Sequence, residues 1–341
     1  MHVDDAVGSL SGASADAPSG REWTGTVGSG EAGARLDQWL AARLGEMSRT
    51  QVRGLIDGGR VRVDGRAVKA ARRLQVGERV EASIPPPPRE GLAAESIPLA
   101  IVFEDEHLLV VDKPAGMVTH PGAGRPSGTL AAAALAHAPE MAGVGSVSRP
   151  GIVHRLDKGT SGLIVLAKTR AAYDGLTAQL AHRTVSRRYL CLAQGLVRRA
   201  EGRLDTAMGR DPRSRVRMAV LPDGKGRRAI TRYRVLERFG TGSRAVTLLE
   251  CRLETGRTHQ IRVHLASLGH PLLGDEAYRG RRAEPAGDPE LTGLIDRLGG
   301  VALHAAGLAF THPVTGASMD FACPLPDRID RILSHLRNSR N

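Results

Sequence analysis

The chain has 341 residues and carries 48 Lys and Arg against 36 Asp and Glu, a formal charge of +12 with a pI near 10.5. That length suggests about two domains, each able to bury its own core without a disulfide or structural metal, and the basic excess favours a polyanionic partner, nucleic acid first, over an acidic small molecule. Three cysteines with no short pairing argue against a disulfide framework and for a reducing, cytoplasmic setting.

Residues 1–22, rich in Gly, Ala, Ser and Asp, read as a disordered tail and lack the basic start and apolar core of a signal peptide. From Arg35 the pattern becomes regular. Leu36, Leu40 and Leu44 repeat at helical spacing; Ser48 and Gln51 form a capping box before Val52, Leu55 and Ile56; Gly58-Gly59 ends the second helix. Arg60-Val61-Arg62-Val63 alternates with period two, valines inward and arginines outward, and Asp64-Gly65 supplies a hairpin turn. Residues 23–84 thus form a small basic domain whose Arg49, Arg53, Arg60, Arg62, Arg66, Lys69, Arg72 and Arg73 sit at outward positions suited to phosphate contact. The run SRTQVRGLIDGGRVRVDG resembles the small RNA-binding domain first described in a ribosomal small-subunit protein.

Pro85 to Pro88 begin a stiff linker over 85–96, incompatible with a helix or a central strand. Residues 97–341 read as one larger domain. Apolar strand-like runs recur at Ile101–Phe103, Leu108–Val111, Leu163–Ala167, Tyr189–Ala193, Val246–Cys251 and Leu308–Thr311, and helical patterns at Arg170–His182, Thr258–Leu268 and Asp327–Leu336. Strands and helices do not alternate strictly, which predicts an α+β domain around a mixed sheet; Arg281–Asp296 reads as a polar surface loop. No apolar run approaches the length of a membrane span.

Several chemistries are excluded by pattern. His259 and His264, five apart, share no face of a helix or strand, and no His-Glu-x-x-His occurs, so no metal site is expected. Ser161 lacks the Gly-x-Ser-x-Gly elbow, and Gly122-Ala123-Gly124 runs into Arg125-Pro126, which spoils a phosphate-binding helix start. What remains is Asp157, flanked by Arg155 and Lys158 and followed by the turn Gly159-Thr160-Ser161-Gly162 into a strand too apolar to be exposed. A positioned, ionised carboxylate can act as nucleophile or general base, or it can be a turn cap or a structural ion pair.

Three separated segments carry a resemblance: LLVVDKPAGMVTHPGAG from Leu108, RPGIVHRLDKGTSGLIVLAKT from Arg149 and LETGRTHQIRVHLASLGHPLLGD from Leu253. Over roughly Arg35 to Leu336 the chain resembles the RluA family of RNA pseudouridine synthases. It looks most like the RluD, large-subunit ribosomal RNA subgroup, departing at Gly159, where relatives often carry an acidic residue. The resemblance implies a catalytic domain with a central, mainly antiparallel mixed sheet, and isomerisation of uridine without metal or cofactor. It implies Asp157 as the catalytic carboxylate, Tyr189 stacked on the target base, Arg262 paired with the carboxylate, and Leu303 lining the pocket. Tyr189 and Leu303 can equally be core residues, and Arg262 a surface helix arginine.

Flipping a uridine out of its stack costs a few kcal/mol, and the flipped ring needs a flat partner. His154 and Arg155 would help hold the displaced RNA or fill the vacated space; Lys113, Arg257 and His259 can contact phosphate or be structural hydrogen bonders. Two Trp, four Tyr and four Phe are too few for an open stacking platform and suit a single-base pocket. The expected partner is RNA, bound by a monomer with no membrane contact. A non-catalytic RNA-binding assembly factor is the alternative. A DNA-binding regulator ranks last, for want of a helix-turn-helix followed by a dimer element.

Overall fold

The computed structural model describes residues 21–45, 47, 49–84, 91–122, 125–214, 216–222, 224–242, 245–279 and 288–339. Its contacts separate a leading unit, Met1–Glu90, from a second unit, Gly91–Asn341. The tail before Arg21, the Ser48–Gln51 capping box, the Pro85–Pro88 spacer, Ala123-Gly124 and residues 280–287 of the expected loop lie outside the described residues.

In the leading unit, helices α1 (Leu36–Leu44) and α2 (Arg49–Asp57) accompany a four-stranded antiparallel sheet of β1 (Arg21–Thr26), β2 (Val61–Val63), β3 (Arg66–Ala67) and β4 (Arg79–Ile84), in the order β1-β4-β2-β3. The helical repeat Leu36, Leu40, Leu44 is buried with Val52, Leu55 and Ile56. Val61 and Val63 point inward as the alternation requires, and each such burial contributes about 1.5–3 kcal/mol before ordering entropy is counted. Asp64 and Gly65 both have positive φ, 48° and 72°, the conformation demanded of a two-residue hairpin turn.

The second unit is built on a ten-stranded sheet. In chain order its elements are β5 (Ile101–Glu104), β6 (Leu108–Lys113), α3 (Leu130–His137), the short pair β7 (Gly145–Ser146) and β8 (Arg149–Pro150), β9 (Ser161–Ala167), α4 (Arg170–His182), β10 (Ser186–Gln194) and β11 (Glu201–Arg210). There follow β12 (Met218–Leu221), β13 (Arg227–Phe239), β14 (Val246–Leu253), α5 (Gln260–Ser267), α6 (Pro289–Asp296), β15 (Leu303–Thr311), β16 (Ser318–Ala322) and α7 (Asp327–Asn338). The sheet runs β12-β11-β13-β14-β10-β15-β9-β6-β5, with β16 paired to β15. Among the described residues only β15 and β9 pair in parallel in this sheet, so it is mixed and mainly antiparallel.

Strand β9 is buried along its whole length, as its unbroken apolar run requires. Its start is fixed by close backbone approach: Gly162 has φ +112°, and a Cβ there would lie 2.4 Å from the Ala305 carbonyl oxygen. Two expectations are corrected. Residues 289–296, placed in a polar surface loop, form α6, capped by the Asp288 side chain and burying Leu291 and Ile295 against α7. The helical pattern expected over Thr258–Leu268 is shorter, α5 spanning Gln260–Ser267 with Ile261 and Leu265 buried, and Leu268 is 41% exposed just past its end.

Candidate active site

Asp157 stands on the tight turn entering β9. The Thr160 amide donates to the Asp157 carbonyl at 3.0 Å and the Gly116 amide to the Lys158 carbonyl at 2.7 Å. Buried Thr119 grips the preceding residue twice, its hydroxyl donating to the Leu156 carbonyl at 2.8 Å and accepting from the Leu156 amide at 3.2 Å. With its backbone held at three residues, the Asp157 carboxylate lines a cleft with Leu156, Tyr189, Leu253, Ile261, Arg262 and Leu303. Its side chain is 14% exposed.

Arg262, from the first turn of α5, reaches that carboxylate, its guanidinium donating to Asp157 Oδ2 at 3.3 Å. The same guanidinium is clamped from the other side by Asp275, with Nε to Oδ2 at 2.8 Å and Nη2 to Oδ1 at 2.9 Å. Asp275, fully buried, also accepts from the Ala277 and Tyr278 amides at 3.1 and 3.3 Å, and the Tyr278 ring lies 5.0 Å from the Arg262 guanidinium carbon. Burial alone would weaken the charge on Arg262, but the carboxylates of Asp275 and Asp157 outweigh it and hold its pKa above the ordinary value. A bidentate arginine of this kind is a rigid cation aimed at one oxygen.

His259 caps α5 with φ +59°, its Nδ1 hydrogen-bonded to the Tyr278 hydroxyl at 2.7 Å and its Nε2 3.9 Å from Asp157 Oδ2. Burial, only partly offset by Asp157, lowers its pKa, so the ring is neutral near pH 7. The loop before α5 is tied down by Gln260, which donates to the Ile230 carbonyl and Thr231 hydroxyl at 3.0 Å and accepts from Thr255 and the Arg257 amide. Tyr189, on β10, is 5% exposed; burial raises its pKa, so it is a neutral phenol. Its hydroxyl has no hydrogen-bond partner among the described residues and so remains available to a ligand.

The structure therefore brings Asp157, Tyr189, Arg262, Leu303, Arg155, Arg257 and His259 to one cleft. His154 and Arg155 also line an adjoining groove; the half-buried His154 ring accepts from the Val165 amide at 3.2 Å, and burial pushes its pKa down to about 3. Exposed Arg155 lies 3.4 Å from His120 Nε2. Lys113 is a correction. It is fully buried and donates to the Pro114 and Met117 carbonyls at 2.8 and 2.9 Å, so it cannot meet a phosphate; of its two readings, the structural one holds. Burial lowers its pKa to about 7 despite the nearby charge of Asp157.

In the leading unit, Arg53, Arg60, Arg62, Arg66 and Lys69 are exposed, whereas Arg49 is paired at 2.9 Å with buried Asp37. Arg35 and then Arg49 hold that carboxyl down to about 2. Arg72 is half-buried on Glu78 and so is not the free outward cation expected, whereas Arg73 is exposed and donates to the Gly33 carbonyl. Asp275, Tyr278, Gln260 and Thr119 escaped sequence reasoning; Asp275 closes the third resembling segment, and nothing in its type or spacing marks it as the clamp of Arg262.

Fold and site fit an RNA-modifying enzyme, a basic leading unit preceding a unit whose cleft gathers Asp157, Arg262 and Tyr189. The profile of the RNA pseudouridylate synthase family matches residues 107–267, and that of the S4 domain residues 34–80. The chain is 43% identical over 305 residues to the RNA pseudouridine synthase YlyB of Bacillus subtilis, covering 89% of this chain and 95% of that protein. It is 47% identical over 314 residues to the ribosomal large subunit pseudouridine synthase D of Nitrosomonas europaea, covering 92% and 87% respectively. Among solved structures, human RNA pseudouridylate synthase domain containing 4 superposes with a TM-score of 0.53 at 25% identity, over 70% of this chain and 93% of that one. This chain belongs to the RNA pseudouridine synthase family, an S4 domain preceding the synthase domain, and is an isomerase that converts uridine in RNA to pseudouridine.

Proposed function

We propose that the chain isomerises particular uridines of large-subunit ribosomal RNA, with Asp157 as the essential carboxylate. The observation that carries this reading is the three-way contact of Asp157, Arg262 and Asp275 at the floor of a cleft walled by Tyr189 and Leu303. A uridine swung out of its stack enters that cleft, with the Tyr189 ring as its flat partner and Leu303 excluding water. Arg262 aims Asp157, and Asp275 prevents Arg262 from collapsing onto the carboxylate it orients. Asp157 then attacks the uracil ring or the sugar, or removes a sugar proton; the base–sugar bond breaks, the ring turns, and the base is rejoined through carbon.

Arg155 and His154 line the adjoining groove, where the displaced strand can lie, and the exposed cations of the leading unit add sequence-independent affinity for the RNA backbone. Large-subunit RNA as substrate is supported by the name of the Nitrosomonas relative and of several others at similar identity. The enzyme acts, in this reading, as a cytoplasmic monomer; among the described residues no helix is long and apolar enough to cross a membrane.

Asp157→Asn tests the assignment. Pseudouridine formation on ribosomal RNA is expected to vanish while RNA affinity stays nearly unchanged, and undiminished turnover in that variant would sink it. Mapping the uridines left unmodified in cells lacking the protein then identifies the substrate positions.

A further inference from the structure

Arg187 lies two residues before Tyr189 on β10, so the pleat directs both side chains to the same face of the sheet. It is only 7% exposed. Among the described residues it forms no ion pair and no hydrogen bond, and its Nε is fully buried without a partner. The contrast with the other interior arginines is sharp. Arg262 is held by two carboxylates, and half-buried Arg328, whose Nε is also without a partner, donates through both Nη groups to the Leu298, Val301 and Gly159 carbonyls and the Ser161 hydroxyl, whereas neither Nη of Arg187 has a partner among the described residues. A buried guanidinium with unused donors is costly to keep, and an arriving anion relieves that cost most fully because it supplies both the acceptors and the opposite charge.

The position of Arg187 indicates which anion. It lines the catalytic cleft together with Asp157 and Tyr189, and it also lines the adjoining groove of about 520 Å³. Arg149, Arg155, Arg183 and Arg257 border that groove, and none of them has a carboxylate partner among the described residues. The one carboxylate on its rim, Glu254, is already engaged by Arg232 at 2.7 Å and by Arg203 at 3.6 Å. Access to the guanidinium is kept open by Gly256, where a Cβ would stand 2.7 Å from Arg187 Nη1. A group at the junction of a base-sized cleft and a cationic groove meets the chain where the flipped nucleotide joins its backbone, and there the only anion is a phosphodiester.

We infer that Arg187 is a substrate-binding residue that anchors the RNA phosphate next to the flipped uridine, its planar fork donating to two phosphate oxygens. The inference rests on the cleft being the uridine site, but its test reads binding rather than chemistry. The affinity of the full-length enzyme for a short single-stranded uridine oligonucleotide is measured across a salt series for wild type, Arg187→Met and Arg187→Lys, with thermal melting of each.

Removing an unsatisfied buried charge should leave the melting temperature of Arg187→Met equal to or above that of wild type. Affinity should fall about tenfold at low salt, and the slope of log affinity against log salt should flatten by about 0.7, the loss of one phosphate contact to a single strand. Arg187→Lys, a point charge in place of a fork, should recover the slope but only part of the affinity. Wild-type affinity and slope in Arg187→Met would overturn the inference. So would a lowered melting temperature with unchanged binding, which would make Arg187 a structural residue. Loss of the binding effect condemns Arg187 alone, whereas full activity of Asp157→Asn condemns the catalytic reading, so the two failures are told apart.

Discussion

The leading unit and the catalytic unit both depend on arginine, but they use it in opposite ways. In the first, Arg53, Arg60, Arg62, Arg66 and Lys69 stand in solvent, and where one of them is paired, as Arg53 is with Asp57 at 3.6 Å, the contact is exposed and contributes at most about 1 kcal/mol to stability. Such cations attract a polyanion over distance without fixing its orientation. In the second, Arg262 is nine-tenths buried and held at three hydrogen bonds, so its charge serves geometry. Arg187 belongs to the same interior class but lacks the carboxylates, and that absence is what marks it as waiting for substrate. Charge on the outside supplies affinity, and charge on the inside supplies position.

That contrast can be broken most forcefully at Asp275. Asp275→Asn removes the clamp on Arg262 without touching the cleft wall, and misplacing a catalytic group by about 1 Å costs about 100-fold in rate. Single-turnover pseudouridine formation is expected to slow by that order while RNA affinity changes less than about twofold. Normal turnover would show that Arg262 needs no orientation.

Changing Arg60 and Arg62 together to Ala should do the reverse. Losing two phosphate contacts flattens the salt slope by about 1.4 to 1.8, with the single-turnover rate at saturating RNA unaltered. Equal affinity at every salt concentration would remove the leading unit from RNA binding.

The smallest effect is expected at Lys113, where the interior charge is neither paired with a carboxylate nor exposed. Its pKa is about 7 in the folded protein against an ordinary 10.5. Between those values the unfolded chain holds a proton that the folded chain has released, so stability rises with pH across that window. Urea melts of Lys113→Met at pH about 7 and about 9.5 should lack that rise; an unchanged slope would assign it to another group.

Much of this architecture is legible in the sequence. The apolar run of β9, the period-two Val61 and Val63 with the Asp64-Gly65 turn, and α4 over Arg170–His182 are each dictated by local pattern. Other elements are not. Strands β11 and β13 carry charged residues on a solvated face, so Arg227-Arg228 and Arg232 through Arg234 hide the alternation. Helix α3 is an alanine run with almost no periodicity, and α6 was masked by its polar neighbours.

The sequence by itself determined that a basic unit precedes an α+β unit, and that Asp157 sits on a turn leading into a buried strand, because these features arise from residues close together along the chain. Local chemistry and periodicity encode them directly. Only the tertiary structure decided that Arg262 is shared between Asp157 and Asp275, that Lys113 is sealed in the interior, and that the Arg187 guanidinium is buried without a partner among the described residues. Those facts depend on packing between residues as much as 105 positions apart, where burial and partner supply set the role of a side chain and its type alone does not.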